Sequence, residues 1–248
     1  MKRLLAIAAL IALPLPALAR APAALIEKGK ALFSDTGLSA SGQYSCASCH
    51  PMNGHTDNKT YVGVDAVPDG TPAGRSTPTL WGSGSRQALW SWAGTIPAIE
   101  SNIRGIIVNR MKGAEPSKET LDALAAYVKS LPNPAGPFLN NDGMLRDTAP
   151  ADVKRGFAVF SGKVGCMTCH LPASYDKKDV EDVGSGGPFK VPSLRSVSKT
   201  APYFHVGRFK TLEETATFMF EFYVKKTNSA DKLSDAEKRD LVAFLRAL

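Results

Sequence analysis

Cys46-Ala47-Ser48-Cys49-His50 and Cys166-Met167-Thr168-Cys169-His170 decide the reading of this chain. Both are C-x-x-C-H, and together they use all four cysteines. Two thiols one helical turn apart can add across the two vinyl groups of a haem, and the imidazole that follows becomes an axial ligand to its iron. A zinc site needs four ligands close together, and a thioredoxin-type pair has no use for the histidine. Two complete copies with no spare cysteine predict two covalently bound haem c groups, with Cys46, Cys49, Cys166 and Cys169 as anchors and His50 and His170 on the irons.

Outward from these motifs, the N-terminus carries Lys2 and Arg3, an apolar run from Leu4 to Leu15, and Ala17-Leu18-Ala19. That layout predicts a signal peptide over residues 1–19, cleaved after Ala19 to release the protein to the periplasm. No other stretch is apolar enough to span a bilayer. The remainder suits two small domains, each with less core than usual, and a porphyrin in each would supply the missing apolar volume. The formal charge of +7 does not indicate nucleic acid. Two of the cations leave with the signal, haem carboxylates offset others, and no basic block occurs along the chain.

The chain then repeats itself. Pro22 to Ser34 has helical apolar spacing before the first motif, as Val153, Gly156, Phe157 and Phe160 have before the second. Pro116-Ser117 opens a helix with Leu121, Leu124, Val128 and Leu131 on one face, ended by Pro132; Ser234-Asp-Ala-Glu237 is a capping box opening the last helix. Leu241, Phe244 and Leu248 repeat the spacing of Leu124, Tyr127 and Leu131. Thr77-Pro78-Thr79-Leu80 answers Val191-Pro192-Ser193-Leu194, Trp92-Ala-Gly94 answers His205-Val-Gly207, and Ile99-Glu100 answers Leu212-Glu213. The expected fold is all-α with little strand: cytochrome c-like domains over 20–131 and 151–248, joined by a Pro-, Gly- and Asn-rich linker over 132–150.

Val191-Pro-Ser-Leu-Arg-Ser-Val-Ser-Lys-Thr-Ala-Pro-Tyr-Phe-His205 followed by Thr211-Leu-Glu-Glu resembles the C-terminal haem signature of the bacterial di-haem cytochrome c peroxidase family, which includes MauG-like enzymes. The resemblance covers nearly the whole mature chain. It implies that Met219, fourteen residues after His205, is the sixth ligand of the C-terminal haem, giving a His/Met electron-transfer centre with His205 nearby and not ligating. It places Trp92 between the haems. It also puts Thr200 and Pro202 where the family binds an inter-domain calcium, with Ser76 replacing the family's asparagine.

At the N-terminal haem the repeat breaks: the counterpart of Met219 is Ile106, which cannot coordinate iron, and Val64 stands near a distal histidine of many relatives. His55 reads as a solvent-side loop histidine, and Met111 and Met52 are the other ligand candidates. The family's distal glutamine and glutamate correspond to Asn102 and Arg110, Thr95 replaces an arginine, and Glu100 is the nearest carboxylate. The resemblance implies electrons from a small donor, a cytochrome c or copper protein, passing the His170/Met219 haem and Trp92 to reduce hydrogen peroxide at the His50 haem. A di-haem electron carrier without peroxidase activity and a haem-based ligand sensor are the alternatives.

Overall fold

The computed structural model describes residues 21–61, 74–86 and 89–248. The proposed leader, Val64 and the side chain of Met52 lie outside the described residues. In chain order the helices are α1 (Ala23–Phe33), α2 (Cys46–Cys49), α3 (Pro51–Gly54), α4 (Ile99–Gly105), α5 (Lys118–Ser130), α6 (Ala151–Ala158), α7 (Leu212–Thr227) and α8 (Asp235–Ala247). Two short antiparallel hairpins join them, β1 (Thr60–Tyr61) with β2 (Arg75–Ser76) and β3 (Val180–Asp182) with β4 (Pro188–Lys190). The fold is all-α in character, as the sequence pattern predicts.

Local chemistry sets the helix ends where the sequence puts them. Ser117 accepts from the Thr120 amide at 3.2 Å to start α5. Ser234 and Glu237 close a reciprocal box at α8, with Glu237 accepting from the Ser234 amide at 2.8 Å. A second box that the sequence reading missed, Thr211 with Glu214, starts α7.

Each half is built on one helix crossing, and the two crossings are copies. In α1 against α5, Gly29 lies on the Ala123 carbonyl and the Tyr127 side chain; in α6 against α8, Gly156 lies on the Asp240 carbonyl and Phe244. A methyl group at either glycine would occupy the space of that carbonyl oxygen. One turn later, Phe33 meets Tyr127 edge-on with ring centroids 5.1 Å apart, and Phe160 meets Phe244 at 5.0 Å. Leu124, Tyr127 and Leu131 are buried in one core, and Leu241, Phe244 and Leu248 in the other. Residues 132–150 carry no helix and one bridge, Leu139 to Leu145. They lie against the C-terminal core, where Leu139 is fully buried and the Gly143 carbonyl accepts from the Tyr175 hydroxyl at 2.5 Å.

The halves clasp each other reciprocally. The Ser76 amide, on β2, donates to the His205 carbonyl at 2.9 Å; the Lys190 amide, on β4, donates to the Trp92 carbonyl at 2.9 Å. Ser76 and Lys190 are matching positions in the repeat, and so are Trp92 and His205. Each loop is a tight turn closed by a bridge, Trp90 to Ile96 and Tyr203 to Phe209, with a left-handed glycine at Gly94 (φ +63°) and Gly207 (φ +67°). Added carbons there would strike Val180 and Lys190 in one case and Thr60 in the other, so each glycine lets the opposite hairpin close in.

The seam does not fit the calcium implied by the resemblance. The Ser76 hydroxyl donates to the Pro202 carbonyl at 3.0 Å. With its amide turned to match donors to acceptors, Asn58 donates to the carbonyls of Lys199 at 3.1 Å and Ala201 at 3.0 Å. His55 Nε2 adds a bond to the Lys199 carbonyl at 3.2 Å. Donor hydrogens occupy the Pro202 carbonyl and the carbonyls on either side of Thr200, oxygens that a cation there would coordinate. His55 is therefore a correction: it is 3% exposed, stacks on Trp81 at 4.1 Å and bonds Thr79 through Nδ1 at 2.9 Å. Both ring nitrogens are engaged at the seam, leaving none for iron.

Two outcomes follow. Gly156→Ala should destabilise the protein by about 1–3 kcal/mol through overpacking, read by denaturant unfolding. Dialysis against a chelator should leave the melting temperature unchanged, whereas Ser76→Ala should lower it by the equivalent of about 1–3 kcal/mol, because it strips the Pro202 carbonyl of its donor.

Candidate haem sites

The two C-x-x-C-H motifs are held by different local devices that produce the same imidazole. Ser45 caps α2 in a reciprocal box with Ser48. In the second half, Gly165 adopts φ +57° and turns the chain into a 3₁₀ turn over Cys166–Thr168, where the Tyr223 ring leaves no room for a side chain. His50 Nδ1 donates to the His55 carbonyl at 3.2 Å, and His170 Nδ1 donates to the Tyr175 carbonyl at 2.9 Å. A carbonyl can only accept, so each Nδ1 carries the proton and each Nε2 keeps its lone pair for a metal. Burial lowers the His50 imidazole to about 4 and also lowers that of His170, so both are neutral at neutral pH, the form that binds iron. Burial pushes the Cys46 thiol to about 11 and that of Cys166 to about 12, the opposite of what a thioredoxin-type nucleophile requires.

A cavity of about 490 Å³ opens above the second motif. Its wall includes Cys166, Cys169 and His170 on one side and Met219, Phe220 and Tyr223 of α7 on another. The residues fit a haem. Of the sixteen residues of α7 only Leu212 is buried, and Met219, Phe220, Phe222 and Tyr223 line the cavity, an apolar face that suits a large apolar ligand. The same wall carries Arg86 and Lys190 as well as Lys226, and the Arg86 Nε is buried with no hydrogen-bond partner. An apolar body bearing carboxylates answers both features. The sequence reading missed these cations; the signal available was Lys190 standing at the repeat position that holds Ser76 in the other half.

Around the first motif the predicted residues separate. Ile106 begins a π-helical turn, Ile106–Arg110, that continues α4, whereas its counterpart α7 runs on without a break. Arg110 is half-buried, and its charge, with that of Arg86, depresses the His50 imidazole. Asn102 is half-buried on α4, and half-buried Met111 closes the π turn. Glu100 is placed elsewhere: it pairs with Lys129 of α5 at 3.0 Å, as its counterpart Glu213 pairs with Arg246 of α8 at 2.5 Å. This matched pair joins helices. Sequence reasoning also missed Asp57, whose amide bonds the Cys49 carbonyl at 3.1 Å and whose carboxylate accepts from the Tyr61 hydroxyl at 2.5 Å. That carboxylate raises the His50 imidazole, against the stronger effect of burial.

Trp92 stands where the halves meet. Its Nε1 donates to the Ser76 carbonyl at 2.9 Å, and its ring faces the edge of His205 at 6.5 Å. His205 stacks on Phe189 at 3.5 Å. Trp92 and His205 both line the cavity. His205 thus lies beside the C-terminal site, and Ser76, Thr200 and Pro202 belong to the seam and the cavity wall.

Comparison with known proteins agrees with this geometry. The family model "Di-haem cytochrome c peroxidase" matches residues 23–133. The methylamine utilization protein MauG of Methylorubrum extorquens is 30% identical over 288 aligned positions, covering 90% of this chain and 77% of that protein. Among solved structures, the diheme peroxidase BthA of Burkholderia thailandensis superposes with a TM-score of 0.71 at 18% identity, over 92% of this chain and 86% of that one. Hydrazine synthase of Kuenenia stuttgartiensis superposes with 0.72 at 22% identity over 100% of both chains, a likeness of fold. By its paired haem-attachment motifs, its duplicated fold and its alignment with MauG across nine-tenths of its length, the chain belongs to the di-haem cytochrome c peroxidase/MauG family.

Proposed function

We propose that this protein is a periplasmic di-haem oxidoreductase that takes electrons from a small redox protein, a cytochrome c or copper protein, and reduces hydrogen peroxide. Residues 20–131 and 151–248 are its haem domains, and 132–150 connects them. The haems supply the redox chemistry, and the chain decides what each is free to do. His170 and Met219 would hold one iron, and a His/Met pair would keep it for electron transfer. His50 would hold the other without a partner from the helix position that matches Met219, so that this iron would be open to a small ligand. Trp92 stands between the two and shortens the path from one to the other.

The observation that carries this reading is the broken equivalence of one helix position. Met219 lines the C-terminal cavity, and Ile106, the same step after its own left-handed glycine, has no atom that binds iron. His55, held by Thr79 and Lys199, does not replace it.

One observation favours a second reading, a di-haem electron carrier. Glu100, the carboxylate of α4, pairs with Lys129 and is drawn away from the part of an acid–base group that moves a proton between peroxide oxygens. Asn102 and Arg110 bring no carboxylate to replace it. Steady-state peroxide consumption by the holoprotein, with a reduced small cytochrome or copper protein as donor, separates the readings. Turnover supports the enzyme, and exchangeable ligand binding without turnover supports the carrier or a sensor.

Cyanide or carbon monoxide should bind one haem per chain in at least one redox state, measured by optical titration. Binding at neither haem would remove the open N-terminal site and point to Met111 or Met52 as a permanent ligand. Met219→Ala should abolish the near-infrared charge-transfer band of a His/Met haem and lower one of the two reduction potentials; an unchanged spectrum would assign that iron another ligand.

A further inference from the structure

The basic side chains on the cavity wall are not alike. Lys226 already has an anion, Glu181 at 3.4 Å. Arg86 gives Nη2 to the carbonyls of Thr79 at 2.6 Å and Trp81 at 2.9 Å, keeps its buried Nε unbonded, and has no carboxylate in ion-pair range among the described residues. Lys190 is fixed by its backbone to Trp92, with its Cβ packed over Gly94, while its ammonium makes no hydrogen bond or ion pair among the described residues. Of the acids on this wall, Glu181 is taken up by lysines, and Asp176 is 1% exposed, with its Oδ1 accepting from the Ser174 hydroxyl and its Oδ2 unbonded; its charge acts on Arg86 and Lys190 through space, but no ion-pair contact joins it to either.

A desolvated cation without a counter-ion is costly, and two that repel each other cost more. Burial, with the neighbouring Arg86 charge, holds the Lys190 ammonium down at about 7, and burial lowers Arg86 to about 10. The cavity is apolar elsewhere, and Cys166 and Cys169 define what enters it covalently. A haem anchored there brings two carboxylate side chains into a chamber where, among the described residues, neither Arg86 nor Lys190 has a carboxylate in ion-pair contact.

We propose that Arg86 and Lys190 clamp the carboxylates of the haem held by Cys166 and Cys169, Arg86 reaching in from the N-terminal half and Lys190 from the C-terminal half. The clamp rests on the cavity being a haem site and is independent of peroxide as the substrate. It makes the C-terminal haem an electrostatic tie between the halves. It also sets that haem's potential, because positive charge beside its carboxylates disfavours the more positive ferric iron.

The test is a spectroelectrochemical titration of the holoprotein, resolving the two haems, for wild type, Lys190→Gln and Lys190→Arg. Lys190→Gln should lower the potential of the six-coordinate haem and move the other less, and Lys190→Arg should restore it. Arg86→Gln should act in the same direction on the same haem. Should Lys190→Gln fail to mature, the nearly isosteric Lys190→Met is titrated in its place. If neither neutral variant matures while Lys190→Arg does, the charge is required and the clamp stands; if Lys190→Arg fails as well, the role is packing and the clamp falls. Unchanged potentials in a neutral variant with full haem content would overturn it, as would a shift confined to the other haem. A wild-type content below two haems per chain, measured as the pyridine haemochrome, would instead overturn the reading of the cavity.

Discussion

The apolar face of α7 looks across a cavity at the second C-x-x-C-H motif, and the architecture follows from that arrangement. Each half contributes one glycine-mediated crossing, α1 on α5 or α6 on α8, which buries a single strip of side chains. A third wall would normally complete such a core. Here the third wall in the C-terminal half is Met219, Phe220, Phe222 and Tyr223 looking across a cavity at Cys166, Cys169 and His170. Cofactor and core are one object in such a design. The motif that anchors the haem also fixes the tautomer of its ligand, through a carbonyl five residues further along in both copies.

The duplication explains how two such units become one molecule. Matching residues make the contacts between the halves: Ser76 and Lys190 donate backbone hydrogens, Trp92 and His205 receive them, and Gly94 and Gly207 make the close approach feasible. Around this near-symmetric frame the side chains diverge. Ser76 closes the seam by reaching the Pro202 carbonyl, while Lys190 turns its charge toward the cavity. Asn58 and His55 add donors to the same stretch of C-terminal backbone, so the seam is held by hydrogen bonds where the family resemblance suggests an ion.

Much of this was legible in the sequence because it is local or periodic. The C-x-x-C-H motifs, the helical stripes ending at Leu131 and Leu248, the Ser234 to Glu237 cap and the repeat of Trp92-Ala-Gly94 as His205-Val-Gly207 each depend on residues close together or on a count between copies. What escaped depends on partners far along the chain. His55 looks like a surface histidine until Lys199, 144 positions away, meets its ring. Glu100 was the nearest carboxylate to the first haem by sequence, yet its direction is set by Lys129 on another helix. Arg86 and Lys190 come together only through the seam, and no window of sequence contains both.

The π-helical turn at Ile106–Arg110 gives the duplication its means of divergence. A π turn admits one residue more than an α turn, and one residue corresponds to a rotation of about 100° for every side chain that follows. The helix that carries Met219 keeps its phase, whereas its twin is turned after Ile106. Arg110 and Met111 therefore present faces that their counterparts on α7 do not. A single inserted step of backbone can in this way reassign what one copy offers its haem while leaving the helix crossing, the clasp and the anchoring motif untouched. Two copies of one repeat then share a fold while presenting different side chains, separated by a change of angle more than by a change of architecture.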